Sequence, residues 1–112
     1  MPFPEFILGF PSIDVPFPED VVQTAVIRSD SGLVAFFTFL KDMELPMHSH
    51  GAQWGIVVEG GIEFTIGGET KIYRAGDSYS IPARVEHGAK IQSGTRVIDV
   101  FEEADRYALK RS

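Results

Sequence analysis

From residue 21 onward, apolar and polar positions alternate with a period close to two. "VVQTAVIRS" (21–29) runs into Asp30-Ser31-Gly32, and "LVAFFTFLKD" (33–42) follows. "WGIVVE" (54–59) stops at Gly60-Gly61, and "IEFTI" (62–66) turns at Gly67-Gly68 into "ETKIYR" (69–74). Successive strand side chains point to opposite faces, so β-branched and aromatic runs broken by turn residues about every eight to twelve positions predict a sandwich or barrel. The Gly-Gly pair between two such runs signals a two-residue hairpin. Further strands are read in "AGDSYSIP" (75–82), "HGAKIQS" (87–93) and "TRVIDVFE" (95–102). The pattern predicts about eight strands and at most one turn of helix. That turn is expected in the charged C-terminal segment "EEADRYALKRS" (102–112).

Residues 1–20 follow another rule. Pro2, Pro4, Pro11, Pro16 and Pro18 each remove a backbone donor and disfavour helix in the residue before them. This predicts an extended arm over 1–20 ahead of a single barrel over 21–112. Phe3, Phe6, Ile7, Leu8, Phe10 and Phe17 give the arm too much apolar surface to remain in water. It either packs along its own barrel or crosses to a second subunit. Exposed apolar segments usually mark interfaces, which favours a homodimer.

Length and charge narrow the functional classes. A chain of 112 residues is one domain by size. Cysteine is absent, so disulfides and thiolate ligands are excluded and a reducing compartment suits the chain. The N-terminal segment has no basic n-region, carries Glu5 and Asp14 and is broken by prolines, so it does not read as a signal peptide. The cytoplasm is the expected location. No apolar run approaches the roughly 20 residues of a membrane span. A net charge of -6 without a basic cluster argues against nucleic acid or anionic membrane as partner, because a phosphate backbone requires a Lys/Arg footprint. A small molecule is the expected ligand.

Candidate chemistry lies in "MHSHGAQWGIVVEGG" (47–61), which holds two of the three histidines. In a strand His48 and His50 project from the same face, where two imidazoles can grip one ion. Gln53 has the opposite parity, but Gly51-Ala52 suits a two-residue II′ turn. Across such a turn His50 and Gln53 become neighbours, with Cβ atoms roughly 5 Å apart. His87 follows Pro82 where a later strand begins and can add a third nitrogen. His-x-His pairs often occur without a metal, so the surrounding pattern has to decide.

That pattern resembles the cupins. "HSHGAQWGIVVEG" (48–60) is similar to the first cupin motif, with His48, His50, Gln53 in the place of the acidic ligand, and Gly60. "GDSYSIPARVEH" (76–87) is similar to the second, with Gly76, Pro82 and His87, and 15 residues separate the two motifs. The resemblance covers residues 42–91. It implies an all-β fold, a small double-stranded β-helix (jelly-roll) barrel of two antiparallel sheets. It also implies one divalent transition metal (Fe, Mn, Ni, Zn or Cu) on His48, His50, Gln53 and His87. Three departures stand out. Gln53 replaces the usual glutamate after a loop one residue shorter than the family's, Arg84 replaces the common glycine after Pro82, and Ile91 replaces the common asparagine. A neutral amide beside neutral imidazoles leaves the charge of an ion undiminished and makes it a stronger Lewis acid.

Asp99 is the candidate acid or base. It shares a strand face with Val97 and Phe101. If that face points into the barrel, burial raises the carboxyl pKa; if Ile98 and Val100 point inward, Asp99 meets water. The ending "VIDVFEEADRYAL" (97–109) resembles that of the pectin-degradation cupins, which hold a metal on three histidines and a glutamine and open the ring of 4,5-unsaturated uronates. The resemblance implies that Asp99 and Phe101 line the pocket and that an arginine assists. Arg106 lies one position beyond the family's place, and Arg84 is a further candidate to hold a substrate carboxylate. Trp54 and Phe39 are candidates for an apolar or sugar-stacking wall, while Tyr73 and Tyr79 read as ordinary core or surface aromatics. Three functions compete: a Lewis-acid enzyme acting on a small oxygenated metabolite such as an unsaturated uronate or keto acid, an Fe or Cu dioxygenase, and a non-catalytic binding module.

Overall fold

Alternation along each strand sorts its side chains between an inner and an outer surface. The computed structural model describes residues 2–110, and among them are nine strands and one short helix. The strands are β1 (Val22–Ser29), β2 (Gly32–Phe39), β3 (Met43–His48), β4 (Gln53–Glu59), β5 (Gly61–Ile66), β6 (Glu69–Arg74), β7 (Ser78–Ile81), β8 (His87–Ile91) and β9 (Arg96–Phe101). They form two antiparallel sheets, one in the order β1-β2-β9-β4-β7 and the other β3-β8-β5-β6. Leu33, Ala35 and Phe37 of β2, Val97 and Phe101 of β9, and Tyr79 and Ile81 of β7 turn inward from the larger sheet. Ile62 and Phe64 of β5 and Ala89 and Ile91 of β8 meet them from the smaller one. The expected two-sheet barrel is therefore the fold.

The Gly67-Gly68 signal is realised as read. Ile66 pairs with Glu69 across the turn, and Gly67 and Gly68 have φ values of 57° and 83°. A type I′ hairpin requires positive φ at both central residues, which glycine adopts without a steric cost. The proposed hairpin at Gly51-Ala52 is not formed. β3 pairs with β8 and β4 lies in the other sheet, so the chain crosses between sheets here. The loop amides are satisfied from the far end of the chain: the Gly51 N–H donates to Glu103 and the Ala52 N–H to Glu102, each at 2.7 Å.

The ends also differ from expectation. The helical turn is α1 (Glu5–Leu8), inside the arm, where the Ile7 and Leu8 N–H groups donate to the Pro4 carbonyl. Among the described C-terminal residues there is no helix, and residues 108–110 pair with the arm instead. Ile13 bridges Leu109, the Asp14 N–H donates to Ala108 and the Lys110 N–H to Ser12, both at 2.8 Å. The arm lies on its own barrel: Phe3 and Ile13 are buried, and the Phe3 ring meets Phe36 edge-on at 5.4 Å. Phe6 stays outside. With Ile13 fully buried, Ile13→Ala should cost about 2 to 5 kcal/mol of unfolding free energy in urea. Phe6→Ala, at a position 71% exposed, should change stability by no more than about 0.5 kcal/mol.

Candidate metal centre

The smaller sheet supplies two of the histidines and the loop leaving it the third. His48 ends β3, His87 begins β8, and the two are register partners after an irregularity between Leu45 and His48. His50 lies beyond the end of β3 in the crossing loop, so it is not a strand residue as expected, yet its ring still joins the other two. The Arg84 N–H donates to the His50 carbonyl at 2.8 Å and ties that loop to the segment before β8. Ring centroids lie 4.2 Å apart for His48–His87, 4.8 Å for His50–His87 and 5.2 Å for His48–His50. One ring nitrogen of each falls within 4.8 Å of the others.

Hydrogen bonds decide which nitrogens are free. The Nδ1 of His48 lies 2.9 Å from the Pro46 carbonyl, that of His50 2.8 Å from Gly51 and that of His87 2.9 Å from Val85. A carbonyl only accepts, so each Nδ1 carries the proton and each neutral ring keeps its lone pair on Nε2. The Nε2 atoms of His50 and His87 face each other at 3.2 Å. Burial resists adding a proton between them. It pulls the His50 pKa down from 6.5 to about 4, partly offset by the bond to Gly51 and reinforced by the positive charge of Arg106. Burial likewise lowers His87. Two facing lone pairs fit a cation: with metal–nitrogen bonds of about 2.1 Å, ligands at right angles lie about 3.0 Å apart and tetrahedral ones about 3.4 Å. Each Nδ1–H on a carbonyl is also the usual outer support of a ligating imidazole.

The facing wall comes from the larger sheet. Asp99 on β9, Gly55 on β4 and Tyr79 on β7 are register partners in a row across three neighbouring strands. Gly55 has no side chain, so Tyr79 and Asp99 meet over it, the Tyr79 hydroxyl donating to Asp99 Oδ1 at 2.5 Å. A Cβ at residue 55 would stand 2.1 Å from that oxygen and 2.5 Å from the tyrosine hydroxyl. Gln53, on the same face of β4, hydrogen-bonds the same carboxylate and is itself buried. Burial raises the Asp99 carboxyl from 3.8 to about 6, against the pull of both hydrogen bonds. Tyr79 is pushed well above 10 by burial and by the carboxylate beside it, so it remains a neutral donor. Between the walls is a narrow cavity of about 60 Å³, bordered by the three histidines, Gln53 and Asp99 and otherwise largely apolar.

The cupin domain profile matches residues 35–101. The chain belongs to the cupin family. An RmlC-like cupin from Shewanella frigidimarina is 27% identical and superposes with a TM-score of 0.77, over 95% of this chain and 92% of that one. KdgF from Halomonas sp. is 22% identical with a TM-score of 0.68, over 82% and 88% of the two chains. A cupin superfamily protein from Desulfitobacterium hafniense is 14% identical, with a TM-score of 0.68 over 79% and 83%. The last two likenesses show the fold alone. No curated protein sequence gives a significant match.

This cupin gathers some of the sequence candidates and disperses others. Phe101 borders the cavity, its ring centroid 5.7 Å from that of His50, and Asp99 faces inward with Val97 and Phe101. Phe39 also lines the cavity, but Trp54 is exposed on the outer face of the larger sheet and cannot form its wall. Arg84 is exposed and does not border the cavity. Its φ of 71° explains why glycine is common at that position, and its contribution is the backbone bond to His50. Arg106 stacks over Tyr107 at 4.3 Å, near enough to depress His50 and His87 but outside the cavity lining. Tyr79 is the residue that sequence reading undervalued. Only the order of β9, β4 and β7 brings it to Asp99.

The Asp99 pKa carries a stability consequence. Its folded value of about 6 exceeds the free value of 3.8, so between them the native chain binds more protons than the unfolded one. The stabilising contribution is full below about pH 4 and is lost as pH rises through 6. His50 has the opposite sign, full above 6.5 and lost as pH falls through about 4. Comparing metal-free wild type with Asp99→Asn isolates the first. The variant should gain roughly 2 to 3 kcal/mol relative to wild type between pH 4 and pH 8, measured by urea unfolding at each pH.

Proposed function

We propose that this cupin is a metal-dependent enzyme of the Lewis-acid type, acting on a small oxygenated acid such as an unsaturated uronate or keto acid. One observation carries the reading: the Nε2 atoms of His50 and His87 face each other at 3.2 Å beside His48, across a narrow cavity from the buried carboxylate of Asp99. A divalent ion held by His48, His50, His87 and Gln53 would supply polarisation of the substrate oxygens when bound. The resemblance of the Asp99–Phe101 ending to the pectin-degradation cupins suggests the substrate class. The fold shared with KdgF is compatible with that class and carries no chemistry by itself.

The chain's own groups divide the remaining work. Asp99 gives or takes a proton at a carboxylate oxygen, and a pKa of about 6 lets it do both near neutral pH. Phe101 and Phe39 exclude water from the proton's path. Arg106, whose charge reaches His50 and His87, steadies the substrate carboxylate at the rim. A cavity of about 60 Å³ holds on the order of four water-sized groups. It suits the reacting end of a small acid and not a polymer.

His50→Ala should abolish stoichiometric metal, measured by elemental analysis of the purified protein. Activity is followed as loss of ultraviolet absorbance from a 4,5-unsaturated uronate under nitrogen. Wild type should turn over without oxygen and lose activity on chelation, while Asp99→Asn should lose about 10²- to 10⁴-fold in rate with its metal retained at saturating concentration. Turnover only in air would replace this reading with a dioxygenase. Metal binding without turnover of any sugar acid or keto acid would leave a binding module.

A further inference from the structure

We propose that Glu102 and Glu103 are positioning residues for His50: by holding the two peptide groups that follow it, they aim its ring so that Nε2 faces the other histidines. The inference rests on the metal reading above and concerns what supports the one histidine that lies outside the strands. His48 ends β3 and His87 begins β8, so the ladder between those strands fixes their backbone. His50 stands in the crossing loop and has no such ladder.

A trans peptide group is planar, with its N–H and C=O pointing opposite ways, so a partner on one end sets the direction of the other. Two such groups meet at Gly51. In the first, the His50 carbonyl accepts from the Arg84 N–H at 2.8 Å and the Gly51 N–H donates to Glu103 Oε1 at 2.7 Å, so both ends are held. In the second, the Ala52 N–H donates to Glu102 Oε2 at 2.7 Å, and the Gly51 carbonyl at the other end receives the His50 Nδ1–H at 2.8 Å. Glu102 therefore acts on the ring through a single rigid unit. The Glu102 N–H also donates to the Ala52 carbonyl at 2.9 Å, which ties that carboxylate's own backbone to the loop. Gly51 shows how closely the two glutamates approach. It has no positive φ, yet a Cβ there would stand 2.8 Å from Glu103 Cγ and 3.0 Å from Glu102 Oε2. Close approach, and not backbone freedom, accounts for the glycine.

The test combines ¹⁵N NMR of the imidazoles with calorimetric titration by Zn²⁺, both on chelator-stripped protein at pH 7.5. In wild type His50 should hold one tautomer, with the proton on Nδ1, and one equivalent of Zn²⁺ should bind. Glu102→Ala combined with Glu103→Ala should mix the His50 tautomers, leave those of His48 and His87 as they are, and weaken Zn²⁺ binding about 10- to 100-fold. Glu102→Gln combined with Glu103→Gln keeps an oxygen acceptor at each place without the charge, and its affinity should stay within about threefold of wild type. Gly51→Ala leaves both glutamates in place but pushes them off the loop. It should weaken Zn²⁺ binding about tenfold in wild type and add little in the alanine pair. Urea unfolding of the metal-free variants at the same pH separates these effects from a lost fold, and Gly51→Ala carries the test if the alanine pair does not fold. Wild-type affinity or an unchanged His50 tautomer in the alanine pair would overturn the proposal. A loss in the glutamine pair equal to that in the alanine pair would also overturn it, since charge alone would then explain the effect. Wild type that binds no Zn²⁺ would overturn the metal reading, and the His50 tautomer of the metal-free variants would still decide the positioning role.

Discussion

Two imidazole lone pairs held face to face at 3.2 Å repel each other, and the fold enforces that arrangement in two ways. Each ring is turned by a carbonyl close to it in sequence, which fixes the proton on Nδ1 and commits Nε2 to the centre. Burial then depresses the His50 and His87 pKa values, so a shared proton does not relieve the contact near neutral pH. A cation held between the three rings would resolve the repulsion without any ring moving.

The same withdrawal of water acts on the opposite wall with opposite sign. Desolvation favours whichever form is neutral, so it lowers imidazole pKa values and raises the Asp99 carboxyl. A single buried cavity therefore favours neutral imidazoles at His50 and His87 and raises the Asp99 carboxyl to about 6. Asp99 escapes a larger penalty because Tyr79 and Gln53 both hydrogen-bond it. That geometry exists only because β9, β4 and β7 lie side by side in register and the middle strand contributes a glycine.

Signals that act over a few residues were legible in the sequence. Period-two alternation gave the strands, Gly67-Gly68 gave its hairpin, and the spacing of the histidines marked the site through its resemblance to the cupin motifs, whereas parity alone left the face of Asp99 open and did not place His50, which lies beyond β3. Relations across the chain were hidden. Gly51-Ala52 has the composition of a tight turn, but Glu102 and Glu103, some fifty residues away, supply acceptors for its amides and allow β3 and β4 to part between sheets. Arg84 looked like a substrate-binding charge, whereas its backbone fills a glycine-like conformation and its side chain lies outside the cavity lining. A helical turn was expected in the C-terminal tail. Pairing with Ser12, Ile13 and Asp14 takes that tail's backbone groups instead. Tyr79 had no local signal at all, since its importance lies in sheet order.

The arm gains meaning from the same exclusion of water. Val15 and Phe17 border the cavity beside Tyr107, so arm and tail together help close the mouth that the two sheets leave open. The Ile13–Leu109 bridge joins these two segments, and Thr24 of β1 anchors the arm by hydrogen bonds to Ile13 and Ser12. Proline suits such a cover, because a chain with few free donors can lie across a barrel end without leaving many unsatisfied amides. The pKa values of His50 and Asp99 are set by desolvation before any other cause. A segment that looks like a preface to the barrel therefore takes part in the electrostatics of its centre. Loosening the arm would admit water, move both groups back toward their ordinary values, and weaken the pairing of neutral imidazoles with a carboxyl of raised pKa on which the proposed chemistry depends.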